Sequence, residues 1–304
     1  MKKDFLTLFS LTKPELENIL LRTKELKELK KKNIPVETLK NKTLVMIFEK
    51  ASTRTRLSFE IGAYQLGGTA VFLNKSDSQL GRNESIEDTG RVISGYADLI
   101  MIRTFKQSDV KKLSEYSKIP VINGLTDEYH PVQILSDLFT ITEKGYKIEK
   151  VKMLYIGDGN NVSNSLINGS AIFGYELIIA TPKGYEPNKK IVKNALDKGG
   201  KIKITNNPLE FVGDIDVFYT DVWVSMGQEK EELKRKEIFK PYQINSKLLS
   251  KNKSNLMVLH CLPAHKGLEI TEDIFEKYSN DIFTQAENRL HAQKALMEYL
   301  VLGQ

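Results

Sequence analysis

The chain has 304 residues, 40 % of them hydrophobic and 28 % charged, with a formal net charge of +6. That composition excludes a disordered chain and a membrane bundle, and the length suggests about two domains. A single cysteine, Cys261, excludes an intramolecular disulfide and any multi-thiolate metal site.

The start, Met1 to Leu11, follows two lysines with a short apolar run broken by Thr7 and Ser10. No small-residue cleavage pattern follows, and no run approaches membrane-spanning length. The chain therefore reads as cytoplasmic, with no membrane partner. Thr12-Lys13-Pro14-Glu15 combines a Thr cap, an early proline and a Glu three residues on, which predicts a helix to about Lys31. Within it, Lys24 to Lys32 alternates Lys with Glu and Leu and carries no aromatic residue. It reads as a solvated helix face and not as a nucleic-acid platform.

Apolar runs and helical patterns then alternate. Strands are expected at 43–48, 69–73, 98–103 and 119–122, with helices at 54–66, 85–95 and 107–117. A helix at 131–144, closed by Lys144-Gly145, connects to a second series. There, strands are expected at 151–156, 176–180, 202–205, 215–219 and 256–260. Helices are expected at 161–173 and 187–198, with shorter ones near 245–250 and 271–278. A long apolar-periodic helix, 284–302, ends the chain. This alternation predicts an α/β fold of two domains, each a largely parallel sheet flanked by helices. Ligands bind such sheets outside the carboxyl ends of the strands, so those ends are the places to inspect.

Ser52-Thr53-Arg54-Thr55-Arg56 lies where the first strand turns into a helix. Unpaired N–H groups at a helix start, the helix dipole, three hydroxyls and a planar Arg fork together make a phosphate cradle. The alternative is an ordinary N-cap with solvated arginines. Arg103 ends an apolar strand; it is either a structural salt-bridge partner or a second guanidinium for a phosphate or a polarised carbonyl. His130-Pro131-Val132-Gln133 puts a donor pair at a helix start, where the imidazole can donate to a developing oxyanion. Gln79, in the polar loop 76–82, either reaches an anion or is simply exposed.

Gly157-Asp158-Gly159-Asn160-Asn161 invites a dinucleotide reading. However, Val162 stands where the third glycine belongs, and Thr181-Pro182 stands where an acidic residue should hold a ribose. Asn161 remains a helix-start donor for a carboxylate. Asp221 can bind an ammonium group, and Ser225 with the Met226 and Gly227 amides can bind a carboxylate; alternatively 221–236 is a mobile surface loop. His260 and Cys261 are neighbours on a strand and point to opposite faces, so they cannot readily activate each other. Cys261 reads as a contact residue.

Taken together, Phe48 to Arg56, Ser76 to Arg82 with Glu84-Ser85, His130-Pro131-Val132-Gln133, Asp221 with Ser225-Met226-Gly227, His260-Cys261-Leu262-Pro263 and Glu287-Asn288-Arg289 resemble the carbamoyltransferases. The Ser-Met-Gly and His-Cys-Leu-Pro segments favour the ornithine branch over the aspartate branch. The resemblance implies a first domain, 1–144 completed by 284–304, that binds carbamoyl phosphate. It implies a second, 145–283, that binds L-ornithine, with helices 131–144 and 284–302 joining the two. It further implies a homotrimer or a multiple of trimers, no metal and no cofactor. Ser52, Thr53, Arg54 and Thr55 would hold the phosphate, with Gln79 reaching a neighbouring subunit's site. Arg103, His130 and Thr55 would polarise the carbamoyl oxygen and Gln133 orient its amide. Asn161, Ser225 and Met226 would take the amino-acid carboxylate and Asp221 its α-amino group. Cys261, Leu262 and Arg289 would surround the reacting centre. The rivals are a carbamoyltransferase for another amine, such as putrescine, lysine or an acylated ornithine, a nucleic-acid-binding protein and a dehydrogenase.

Overall fold

A computed structural model describes residues 2–74, 84–224 and 229–303. The chain forms two compact units, Met1–Phe139 with Glu287–Gln304, and Thr140–Ala286.

In the first unit, α1 (Lys13–Lys31) opens on the expected box, with the Thr12 amide donating to Glu15 Oε2 at 2.6 Å. The alternation continues through β1 (Thr43–Phe48), α2 (Thr53–Gln65), β2 (Thr69–Asn74), α3 (Ile86–Ile93), β3 (Leu99–Arg103), α4 (Gln107–Tyr116) and β4 (Val121–Leu125). All pairings are parallel, in the order β2-β1-β3-β4. The inner strands β1 and β3 are near-continuous apolar runs buried on both faces, as parallel sheets require. The edge strand β2 is partly exposed.

β4 runs to Leu125, beyond the expected end at 122. The polar pair Asn123-Gly124 continues the strand because the Asn123 side-chain donors find acceptors there. Asn123 Nδ2 donates to the Leu6 carbonyl at 3.0 Å and to Gln107 Oε1 at 3.1 Å. A Cβ on Gly124 would lie 2.5 Å from Met101 Sδ and 3.2 Å from the Ile102 carbonyl oxygen, so any side chain there would force Met101 to shift. The register shifts at this point, pairing Ile102 with Asn123 but Arg103 with Leu125. The irregularity sits at the strand end that carries Arg103.

α5 (Pro131–Glu143) carries the chain from one unit's residues into the other's. The second unit then builds β5 (Lys152–Ile156), α6 (Asn161–Phe173), β6 (Glu176–Ala180), α7 (Lys189–Asp197), β7 (Lys201–Thr205), β8 (Val217–Thr220), α8 (Glu232–Phe239), α9 (Ser246–Leu249), β9 (Met257–His260) and α10 (Glu272–Lys277). Its sheet is parallel throughout, in the order β7-β6-β5-β8-β9. Leu154, Ile156, Ile178, Phe218 and Val258 form the centre of its core. α11 (Ser279–Leu302) returns to the first unit. It starts earlier than its apolar pattern predicts, because Ser279, Asn280 and Asp281 hide a turn that buries Ile282.

α8 stands where a charged loop segment was expected. Two buried residues, Arg235 and Phe239, hold it to the unit. No helix among the described residues is long and apolar enough to cross a membrane.

Candidate active site

In the first unit the polar side chains gather at the ends of β1 and β3 and at the starts of α2 and α5. Ser52 is the N-cap of α2, accepting from the Thr55 amide at 3.3 Å. Thr53 is exposed and Arg54 partly buried, both in the first turn, where helix N–H groups are open to an anion. Thr55 is fully buried. Its hydroxyl accepts from Arg289 Nη2 at 2.8 Å, from Ser52 Oγ at 3.1 Å and, weakly, from Arg103 Nη1 at 3.5 Å. The structure thus brings Arg103 and Arg289 to one hydroxyl.

His130 lies just before α5 and is buried. Burial, reinforced by the nearby guanidiniums of Arg289, Arg103 and Arg54, holds its imidazole well below the usual histidine range. It is therefore neutral at physiological pH, in a field of three fixed positive charges. That field favours an anion. Gln133 donates through Nε2 to Asp137 Oδ1 at 2.9 Å, which fixes which end of the amide is which. Its Oε1 is buried and accepts no hydrogen bond among the described residues, leaving an acceptor suited to an N–H group. Lys50, also buried, pairs with Asp127 and lies 4.3 Å from the Phe105 ring centroid.

The second unit gathers a different set at the ends of β5, β8 and β9. Asn160 caps α6, its Oδ1 accepting from the Val162 and Ser163 amides at 3.0 and 3.2 Å. Its Nδ2 donates to Asp221 Oδ2 at 2.7 Å. Asp221 Oδ1 accepts from the Val222 amide and from Cys261 Sγ, each at 2.8 Å. Cys261 is thus a thiol donor to a carboxylate, a contact that does not make it a nucleophile. Asn161 is the first residue of α6, beside the cap.

One ligand atom each of Asp221, His260 and Cys261 lies within 4.8 Å of the others. Such a trio resembles a metal site, but both His260 ring nitrogens are engaged. Nε2 faces Glu269 Oε1 at 3.0 Å, and Nδ1 accepts from the Leu262 amide at 2.9 Å. The trio therefore does not fit a bound ion.

Beneath Asp221, Asp158 and Arg235 form a buried ion pair. Burial pushes the Asp158 carboxyl up to about 6 in spite of the guanidinium beside it. Arg235 also donates through Nε to the Trp223 carbonyl at 2.6 Å and stacks over the Tyr185 and Phe239 rings. The chain just after Asp221 is tied down by α8. The glycine signal at 157–159 has a packing cause: a Cβ on Gly159 would lie 2.3 Å from the Pro187 nitrogen.

Gln79, Ser225 and Met226 lie outside the described residues. Two partners escaped the sequence reading, Glu269 and Arg235, and Asn160 entered it only as a polar strand-end residue without a role. An Asn directly before a helix is a legible cap signal, but its second bond to Asp221 is not, since that partner comes from another strand.

Residues 3–143 match the carbamoyl-P binding domain of the aspartate/ornithine carbamoyltransferases, and residues 149–300 match their Asp/Orn binding domain. The ornithine carbamoyltransferase of Oceanobacillus iheyensis is 50 % identical over 303 residues, covering 98 % of this chain and 94 % of that protein. The ornithine carbamoyltransferase of Thermococcus kodakarensis is 48 % identical over 305 residues, covering 99 % and 96 %. Among solved structures, the ornithine carbamoyltransferase from Pyrococcus furiosus superposes with a TM-score of 0.93 at 47 % identity, covering 99 % of this chain and 97 % of that one. The anabolic ornithine carbamoyltransferase from Campylobacter jejuni gives a TM-score of 0.93 at 42 % identity, covering 99 % and 100 %.

Proposed function

The chain belongs to the aspartate/ornithine carbamoyltransferase family, and from that premise we propose that it transfers the carbamoyl group of carbamoyl phosphate to the δ-amino group of L-ornithine. The products are L-citrulline and phosphate. The observation that carries this reading is the meeting of Arg103 and Arg289 at the Thr55 hydroxyl, beside a neutral His130.

The neutral δ-amine attacks the carbamoyl carbon, charge builds on the carbamoyl oxygen, and phosphate departs. Fixed donors aimed at that developing charge lower the barrier without reorganising. Arg103, His130 and Thr55 are assigned to the oxygen. Neutral imidazole still donates one N–H, and it adds no fourth positive charge to a crowded site. Gln133 Oε1 is assigned to the carbamoyl amide. Ser52, Thr53, Arg54 and Thr55 with the first amides of α2 are assigned to the phosphate, where the helix dipole adds to the guanidinium charge. Gln79 joins them on the strength of the motif.

For the amino acid, Asp221 is assigned to the α-amino group. A carboxylate has about four acceptor directions. Among the described residues those of Asp221 take bonds from Asn160, Val222 and Cys261, which leaves one for an ammonium. Asn161, Ser225 and Met226 are assigned to the α-carboxylate, and Cys261 and Leu262 to the reacting groups. The first unit is thus the carbamoyl-phosphate domain and the second the ornithine domain.

The protein is further assigned as a homotrimer or a multiple of trimers. The exposed α2 residues Leu57, Ile61 and Tyr64 (the last 78 % exposed) form an apolar face suited to contact between copies. Light scattering giving a monomer mass at micromolar concentration would remove that assignment. The function is tested by citrulline formation from ornithine and carbamoyl phosphate, with aspartate and putrescine as controls. Turnover is expected with ornithine, and turnover confined to putrescine or aspartate would overturn the reading.

A further inference from the structure

The loop that leaves β9 carries an unusual support. Leu262 has φ of +58°, in the left-handed region that a leucine side chain disfavours. Its amide donates to the ring of His260, two residues back, at 2.9 Å. This is the turn that an Asn or Asp side chain commonly makes with the N–H two residues on, made here by an imidazole. Since Nδ1 accepts that bond, it carries no proton. The ring proton is therefore on Nε2, which faces Glu269 Oε1 at 3.0 Å. Both side chains are fully buried.

Glu269 is itself held through Oε1 and its backbone, while its buried Oε2 has no hydrogen bond among the described residues. Its Oε1 accepts from the His265 amide at 2.6 Å, and its carbonyl accepts from the Ile244 amide at 2.9 Å. His260 has a second restraint, its own amide donating to Gln285 Oε1 at 2.9 Å. Between these supports sits Cys261, whose thiol meets Asp221. Burying a carboxylate without need is costly, so a fully buried Glu that does not line the substrate groups calls for a role.

Resting on the carbamoyl-transfer reading, we propose that Glu269 is a positioning residue for the reaction. It selects the Nε2–H tautomer of His260, and that tautomer holds Leu262 in its left-handed turn. The turn sets the direction of the Cys261 and Leu262 peptide groups and keeps the thiol on Asp221. Without Glu269 only the Leu262 amide, itself in a strained left-handed turn, still favours that tautomer. With the proton on Nδ1 the Leu262 amide loses its acceptor, and the turn relaxes.

Nitrogen-15 NMR of histidine-labelled protein reads the tautomer directly. His260 is expected to give a pyridine-type Nδ1 and a pyrrole-type Nε2, and the reverse pattern would overturn the proposal. In steady-state kinetics Glu269→Ala is expected to lose about 10- to 100-fold in kcat/KM for ornithine, the range seen when the carboxylate that orients a metal-ligating histidine is removed. Glu269→Gln keeps an acceptor for Nε2–H and is expected to remain within about tenfold of the parent.

The conservative variants at His260 separate positioning from simple packing. His260→Asn can rebuild the turn to the Leu262 amide. His260→Gln can reach Glu269 but not the turn. Asn is expected to retain more activity than Gln, and the opposite order, in folded proteins, would count decisively against the proposal. A parent enzyme that makes no citrulline would sink the functional reading. The tautomer would still decide the geometry, because its measurement needs no turnover.

Discussion

The two units solve opposite electrostatic problems. The first brings the guanidiniums of Arg103 and Arg289 to one hydroxyl and keeps His130, near these two and Arg54, uncharged. The second places a carboxylate, Asp221, at its centre and surrounds it with neutral donors from Asn160, Val222 and Cys261. A phosphate is recognised by excess charge of the other sign, which many donor geometries can supply. An amino acid presents both signs at once, so its site must be specified by placement. The first unit therefore depends on charge, and the second on a hydrogen-bond network with buried supports.

That contrast can be broken at its supports. The largest effect is expected from Arg235→Ala, which strands Asp158 in the interior of the second unit. Removing one partner of a buried ion pair typically costs about 3–5 kcal/mol. Chemical denaturation should show a loss of that size, and a loss under about 1 kcal/mol would mean the pair holds little. Arg103→Ala and Arg289→Ala should leave folding intact and lower kcat about 10²–10³-fold, or about 3–4 kcal/mol of barrier. Near-normal turnover of either folded variant would break the charge-based account of the first unit.

The pH dependence sharpens the comparison. His130 and His291 are both held below the ordinary histidine value by burial, His291 to about 3. Between the folded and unfolded values only the unfolded chain takes the proton, so stability falls as the pH drops below the unfolded histidine value. At pH 5 His291 costs about 2 kcal/mol relative to pH 8, and His130 acts in the same direction. His291→Leu should flatten the pH 5–8 stability profile by about that amount, and an unchanged slope would contradict its burial as a neutral ring. Asp158 has the opposite sign. Its folded value, about 6, is raised, so the folded chain holds the extra proton over the range from the ordinary aspartate value to about 6. Stability from this group is present at low pH and declines as the pH rises through that window.

The smallest effect belongs to Asn160→Ala. It removes the cap of α6 and one donor to Asp221. A loss of about 1 kcal/mol in stability is expected. It should be accompanied by a higher KM for ornithine and an unchanged KM for carbamoyl phosphate. Equal changes in both constants would show that the two regions are not separable in this way.

Much of this protein was legible in its residues. The strand–helix alternation, the capping box at Thr12, the Ser52 cap and the polar strand ends all follow from choices made within a few neighbouring positions. Helix starts and parallel strands are local decisions, set by unpaired N–H groups and by runs of apolar side chains. What only the tertiary structure decided is which distant groups meet. Arg289 reaches Thr55 across 234 positions, Glu269 finds His260, Asn160 finds Asp221, and α8 is held by Arg235 where the charges suggested an open segment. A buried polar atom must find a partner, but nothing in the linear order says from which strand it comes. That is settled when the apolar faces pack and the strand ends are brought side by side.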